Sequence, residues 1–254
     1  MAPPEPDSVR APMSTFFRDT FTSDGLEVIR GSLPPLGFVP QGGNRAYEGS
    51  TNINPMRRSP EGARTLSGSG GAMRIVYGLD VSDIGGSPGN GDGWVPGSAD
   101  GWTAEWDWHL DYYSATDGSS QNHGEIQLGN ARTKNILVEF LQIGGGRIDL
   151  RLGHGATGYG GSPGQVRMQC PDINAVGKYH CRLEYSPRKI YLYCGGAQLA
   201  LDHDFDEYAG GFNSLVIQLQ PTLQLANLEI ATGVVTPPKD PVTFWTGYVD
   251  AIET

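Results

Sequence analysis

The stretch Gly101 to Asp111, Gly-Trp-Thr-Ala-Glu-Trp-Asp-Trp-His-Leu-Asp, constrains the fold more than any other part of the chain. Trp102, Ala104, Trp106, Trp108 and Leu110 share one parity, and Thr103, Glu105, Asp107, His109 and Asp111 share the other. That is the period of a strand with one buried and one polar face. The indoles on the apolar side need a second layer to cover them, because a single sheet cannot hide that much aromatic area. The stretch therefore predicts a sandwich, with carboxylates and a histidine pointing the same way from one rigid strand.

The rest of the chain agrees. Ile126 and Leu128, then Ile136, Val138 and Phe140, then Ile148, Leu150 and Leu152, then Val166 and Met168 mark strands separated by glycine-containing turns. Tyr179, Cys181, Leu183 and Tyr185 share a face, as do Ile190, Leu192 and Cys194. A hairpin closed at Ser186-Pro187-Arg188-Lys189 keeps both apolar sets inside only if Tyr185 meets Ile190, Leu183 meets Leu192 and Cys181 meets Cys194. Gly195-Gly196 then turns the chain into 197–201, and Leu215 to Leu219 and Ala226 to Ile230 follow as strands. Earlier, Thr15 to Phe21 and Leu26 to Arg30 read as a strand pair around Ser23-Asp24-Gly25. The region onward to Gly71 reads as loop with a short strand near Ala46, and Met73 to Leu79 as a strand. The expectation is an all-β chain of about a dozen antiparallel strands. With 37 glycines, 18 prolines and 18 % charged residues, no segment carries a helical stripe.

At 254 residues a single all-β domain is possible. Residues 1–14 read as a Pro-rich arm, 15–235 as the sandwich, and 236–254 as a docking tail in which Phe244, Trp245 and Tyr248 offer aromatic anchors for assembly. A net charge of -10 with scattered Lys and Arg argues against nucleic acid. No apolar run approaches the roughly 18 residues of a membrane span, and no apolar signal core opens the sequence, so neither membrane insertion nor export by its own signal is expected. Three cysteines without a C-x-x-C indicate no zinc cluster. The Cys181–Cys194 pairing leaves a bridge open, and a chain without an export signal favours two core thiols.

Phe17-Arg-Asp-Thr-Phe-Thr-Ser-Asp-Gly25, Trp102 to His109, the span Tyr179 to Tyr185 followed by Lys189 to Gly196, and Leu225 to Ile230 together resemble the concanavalin A-like (laminin-G-like) jelly roll over residues 15–232. The resemblance implies fold. Members include glycan-binding modules, glycoside hydrolases, polysaccharide lyases and domains of bacteriophage tail proteins.

Glu105-Trp-Asp107-Trp-His109 is similar to the Glu-x-Asp-x-Glu strand of laminarinase-type hydrolases, where two glutamates act as nucleophile and acid/base. Retaining hydrolysis needs two carboxyls about 5–5.5 Å apart. Here His109 stands in place of the second glutamate, which removes the expected general acid. Asn90, Asp92 and Asp100 in a Gly-rich loop are candidate calcium ligands, and no other cofactor is expected. Trp94, Tyr112, Tyr113 and Tyr159 are candidate platforms for sugar rings, whose apolar faces stack on aromatic groups.

The expectation is a non-catalytic lectin-like protein of a larger assembly. A bacteriophage minor tail or other virion protein is favoured, contacting cell-surface glycans and partnered by other virion proteins or by its own copies. The alternatives are a jelly-roll hydrolase or lyase using Glu105 and Asp107, and a secreted, extracellular carbohydrate-binding module.

Overall fold

A computed structural model describes residues 15–32, 47–49, 56–66, 71–76, 101–116, 123–130, 134–143, 145–155, 165–186, 189–202 and 214–232. The candidate residues Trp94, Tyr159, Asn90, Asp92, Asp100, Phe244, Trp245 and Tyr248, the arm 1–14 and the tail 236–254 lie outside them.

The described residues form strands and no helix. In chain order these are β1 (Thr15–Asp19), β2 (Glu27–Val28), β3 (Glu48–Gly49), β4 (Arg57–Ser59), β5 (Gly62–Arg64), β6 (Gly71–Val76), β7 (Trp102–Leu110) and β8 (His123–Asn130). They continue with β9 (Lys134–Ile143), β10 (Arg147–Gly155), β11 (Gln165–Gln169), β12 (Gly177–Ser186), β13 (Lys189–Cys194), β14 (Ala197–Asp202), β15 (Ser214–Leu219) and β16 (Leu223–Thr232). A front sheet of nine strands runs β14-β13-β12-β7-β16-β5-β4-β2 with β1 also beside β16, and a back sheet of seven runs β11-β10-β9-β8-β15-β6-β3. The chain leaves one sheet for the other after β2, β3, β5, β6, β7, β11, β14 and β15. Such switching lets each strand bury one face against the opposite layer.

The tryptophan strand β7 lies inside the front sheet between β12 and β16, and its two faces divide as the alternation requires. Trp102, Trp106 and Trp108 are at most 1 % exposed. Trp102 stacks on Tyr185 of β12 (centroids 5.1 Å, 13°), Trp106 meets Trp108 edge-on, and Trp108 crosses the interlayer space to Phe140 of β9 at 5.8 Å. Room for the Trp108 indole comes from Gly124 on β8, where a Cβ would lie 3.0 Å from the ring and 2.5 Å from Leu223 Cδ2.

The hairpin β12–β13 has the register that its apolar faces demand, with Cys181 opposite Cys194, Leu183 opposite Leu192 and Tyr185 opposite Ile190. The expected thiol pair is a disulfide joining Cys181 to Cys194. Two cysteines directly opposed across adjacent strands hold their Cα atoms 4.4 Å apart, within bonding reach, whatever the chain's ends contain. Cys170 is buried and free.

Two readings of the N-terminal third need correction. The segments 15–21 and 26–30 do not pair with each other: β1 pairs with β16, and β2 with β4. Phe21 has a left-handed backbone (φ 57°), held by a hydrogen bond from its N–H to the Asp19 carboxylate, and this turns the chain out of β1. The following segment reaches β4 with Leu26 and Val28 about half exposed, while Ile29 turns into the core. The stretch read as loop contains the hairpin β4–β5, which carries no apolar alternation because its buried residues include Arg58 and Ser59. Arg58 is buried by pairing with the fully buried Asp19 through both guanidinium ends (2.6 and 2.8 Å), while Tyr47 donates to the same carboxylate at 2.7 Å. Sequence periodicity cannot reveal a buried ion pair between residues 39 apart.

Candidate functional site

The polar face of β7 continues across its neighbours, and strand register arranges the side chains in rows. One row runs Gln198 (β14), Tyr193 (β13), Arg182 (β12), Glu105 (β7), Glu229 (β16), Arg18 (β1). On one side lies Tyr191, opposite Glu184; on the other lies His180, opposite Asp107. Beyond that, His109 sits between Lys178 and Gln224.

Asp107 is held from both sides. His180 Nδ1 lies 3.0 Å from its Oδ1, and Asn227 Nδ2 donates to its Oδ2 at 2.6 Å. Asn227 reaches this position because the β16–β7 register shifts between Ala226 and Glu229; the extra residue takes a left-handed conformation (φ 55°), which asparagine tolerates, and turns outward. His180 Nε2 faces Glu105 Oε2 at 4.0 Å, and the imidazole side chain is 60 % exposed. Glu105 opposes Glu229 directly, and Glu229 is neutralised by a bidentate Arg18 (2.8 and 2.9 Å) with Thr15 Oγ1 donating at 2.5 Å. The Arg18 guanidinium holds the Glu229 carboxyl below the usual range.

His109, in the position of the second glutamate of the laminarinase-type strand, lies half-buried, with no hydrogen bond at its buried Nδ1. The next acid along β7, Asp111, accepts from Gln224 at 2.7 Å and pairs with Arg64 at 3.2 Å.

Beside these groups β13 carries an aromatic pair. Tyr191 and Tyr193 lie side by side with centroids 6.3 Å apart and planes 20° apart. Lys189 Nζ sits 5.2 Å from the Tyr191 ring centre, and the Arg182 guanidinium 4.8 Å from that of Tyr193. Arg182 also forms a 3.0 Å ion pair with the buried Glu184. Burial, with Glu184 adding to it, pushes the Tyr193 phenol up to about 12, so that ring stays neutral at physiological pH. Pairing Leu183 with Leu192 already implied that Tyr191 and Tyr193 leave the core on the same side as Arg182. Of the proposed loop aromatics, Tyr113 packs against the core, and both Tyr112 and Tyr113 are half-buried.

A second polar cluster occupies the outer face of the back sheet, where His123 Nε2 lies 3.2 Å from Glu125 Oε1 and 3.0 Å from Glu139 Oε1. The Glu125 carboxylate, with that of Glu139, raises the His123 imidazole to about 9. Burial pushes the Glu139 carboxyl up, but His123 and Arg151 outweigh it and hold it below its ordinary value.

The sequence matches no protein-family model and no curated protein. Among solved structures, the chain is similar to the CBM2 module of the evolved Dit of Lactobacillus casei BL23 phage J-1, with a TM-score of 0.51 at 8 % identity over 88 % of this chain and 97 % of the module. It aligns more loosely with an endo-1,3-beta-glucanase from Streptomyces sioyaensis (TM-score 0.47, 13 % identity, 92 % of this chain and 100 % of that one). A carbohydrate-binding module, CBM66 of Bacillus subtilis, gives a TM-score of 0.40 at 10 % identity over 74 % of this chain and 92 % of the module. At such identities the phage module speaks to architecture alone. With two antiparallel sheets packed through the tryptophan strand, the chain is a jelly-roll β-sandwich of the concanavalin A-like kind.

Proposed function

We propose that this chain is a non-catalytic, lectin-like recognition protein that binds a cell-surface glycan on the outer face of the front sheet and works in many copies within a bacteriophage tail or another virion. The observation that carries the reading is the side-by-side Tyr191–Tyr193 pair next to Arg182, Glu105, Asp107 and His180. A sugar ring presents an apolar C–H face that an aromatic ring covers, and equatorial hydroxyls at its edge that need donors and acceptors at the same level. Strands hold both kinds of group rigidly, which lowers the ordering cost of binding. The jelly-roll likeness to a phage module supports a virion setting by analogy of fold. The arm 1–14 and the tail residues Phe244, Trp245 and Tyr248 are the proposed attachment points. Repetition on a particle would raise a weak single-site affinity into useful avidity.

The test is a glycan array followed by calorimetry on the best ligand. The Tyr191→Ala/Tyr193→Ala variant should lose tenfold or more in affinity, since stacking contacts of this type contribute about 1 kcal/mol or more each. Unchanged affinity would remove the site from this face. Incubation with β-glucans should release no reducing ends. Turnover abolished by Glu105→Gln would instead establish the hydrolase reading, because acid-base catalysis contributes roughly 10²–10⁴-fold.

A further inference from the structure

We propose that His123, Glu125 and Glu139 form a three-ligand site for a divalent transition-metal ion, zinc by its donor set, on the outer face of the back sheet. His123 and Glu125 stand two apart on β8, and Glu139 is the residue of β9 directly opposite Glu125. All three therefore project from one face of two adjacent strands. Their donor atoms lie within 4.8 Å of one another, and Nε2 is 3.2 and 3.0 Å from the two Oε1 atoms. Zinc bound tetrahedrally at its usual 2.0–2.2 Å from N and O ligands sets those ligand atoms about 3.4 Å apart. The two nitrogen–oxygen spacings need only a small outward shift to reach that geometry, and the two carboxylate oxygens already lie within 4.8 Å of each other.

Three further features distinguish this arrangement from an ordinary surface ion pair. Like charges directly opposed across strands are unfavourable, yet Glu125 and Glu139 are only 6 and 7 % exposed, so this pair depends on positive charge at its carboxylates, a place that the His123 ring and Arg151 fill and that a bound cation would take over from the imidazole proton. Each carboxylate turns one oxygen to the centre while an outer group holds the other: Gln127 Nε2 donates to Glu125 Oε2 at 3.0 Å, and Arg151 Nη1 pairs with Glu139 Oε2 at 2.5 Å. Outer-shell support that leaves one oxygen per carboxylate facing inward is how protein metal sites orient their ligands. Finally, His123 Nε2 is buried and makes no hydrogen bond, although both oxygens are within ion-pair reach.

The chemistry selects the ion. One nitrogen and two carboxylate oxygens suit zinc and its neighbours, whereas calcium takes six to eight oxygens. No thiol competes, since Cys181 and Cys194 are bridged and Cys170 is buried. His123 is 23 % exposed, which gives the ion a route in and leaves a coordination position for water. Bound there, zinc would tie β8 to β9.

The site lies on the sheet opposite the proposed glycan face, so its test stands independently of that reading. The full chain, stripped with a chelator and dialysed, is titrated with Zn²⁺ at neutral pH by calorimetry, with Co²⁺ as a spectroscopic probe and Ca²⁺ as a comparison. One equivalent of zinc should bind with micromolar or tighter affinity, and cobalt should give the intense ligand-field bands of a four- or five-coordinate ion. His123→Ala and Glu125→Gln should each weaken binding more than 100-fold, and Gln127→Ala about 10-fold, as outer-shell losses do. Glu125→Gln keeps a neutral side chain of the same shape, so it serves if His123→Ala misfolds, with circular dichroism reporting the fold of each. No zinc uptake at 100 µM, undiminished uptake by a folded Glu125→Gln, or calcium binding in preference to zinc would each overturn the site.

Discussion

Replacing Asp19 by alanine should be among the most damaging single changes available in the described fold. Its carboxylate is fully buried and accepts from Phe21 N–H and Tyr47 Oη, both at 2.7 Å, and from the two Arg58 nitrogens at 2.6 and 2.8 Å. The loss strands the Arg58 guanidinium, whose side chain is 11 % exposed, over the faces of Phe21 and Tyr47 without a counter-charge. Breaking one half of a buried ion pair costs about 3–5 kcal/mol. Removing the acceptor that holds Phe21 in its left-handed conformation adds about 1 kcal/mol or more. A total near 5 kcal/mol compares with about 5–15 kcal/mol for the whole stability of a typical domain, so Asp19→Ala should leave β1, β4 and β5 close to unfolding. Urea denaturation followed by tryptophan fluorescence measures it as a fall in midpoint at unchanged slope. The double variant Asp19→Leu/Arg58→Met should recover most of the loss, because a buried pair exchanged for apolar groups of similar volume is often neutral. A cost under about 1 kcal/mol for Asp19→Ala, or a double variant no better than the single one, would refute the account.

Gly124→Ala should destabilise by about 1–3 kcal/mol, since its Cβ meets Leu223 at 2.5 Å and Trp108 at 3.0 Å, and a Leu223→Val change should restore part of this in the same urea assay. Cys181→Ala/Cys194→Ala should cost about 3 kcal/mol for a loop with a separation of 13 residues, and the unfolded, unreduced wild type should titrate one thiol rather than three. That thiol, Cys170, should resist alkylation until unfolding, because burial, with Asp149 and Asp172 nearby, pushes it up to about 12. Glu229 is lowered in the folded state by Arg18, so its contribution is present above the ordinary carboxylate range and lost as pH falls through the lowered value. Glu229→Gln should therefore flatten the acid limb of the Tm–pH profile, by a small amount because Arg18 is 55 % exposed.

What the sequence determined by itself was everything that period-2 alternation can carry. The tryptophan face of β7, the apolar faces of β8 to β11 and the register of the β12–β13 hairpin follow from local spacing, because a one-residue slip would move a whole apolar set into water. The polar side of β7 was legible for the same reason, and so, with the hairpin register in hand, were Tyr191 and Tyr193. Tertiary structure alone decided which strands far apart in sequence become neighbours. It set β1 against β16, residues 211 apart at the Arg18–Glu229 pair, and brought His180 and Asn227 to Asp107. It also buried Arg58 on Asp19 and brought the ligand atoms of Glu125, Glu139 and His123 within 4.8 Å of one another. Polar groups of this kind leave no periodic trace, because each is placed by a partner contributed from another strand, and that partner is specified only once the sheet is assembled.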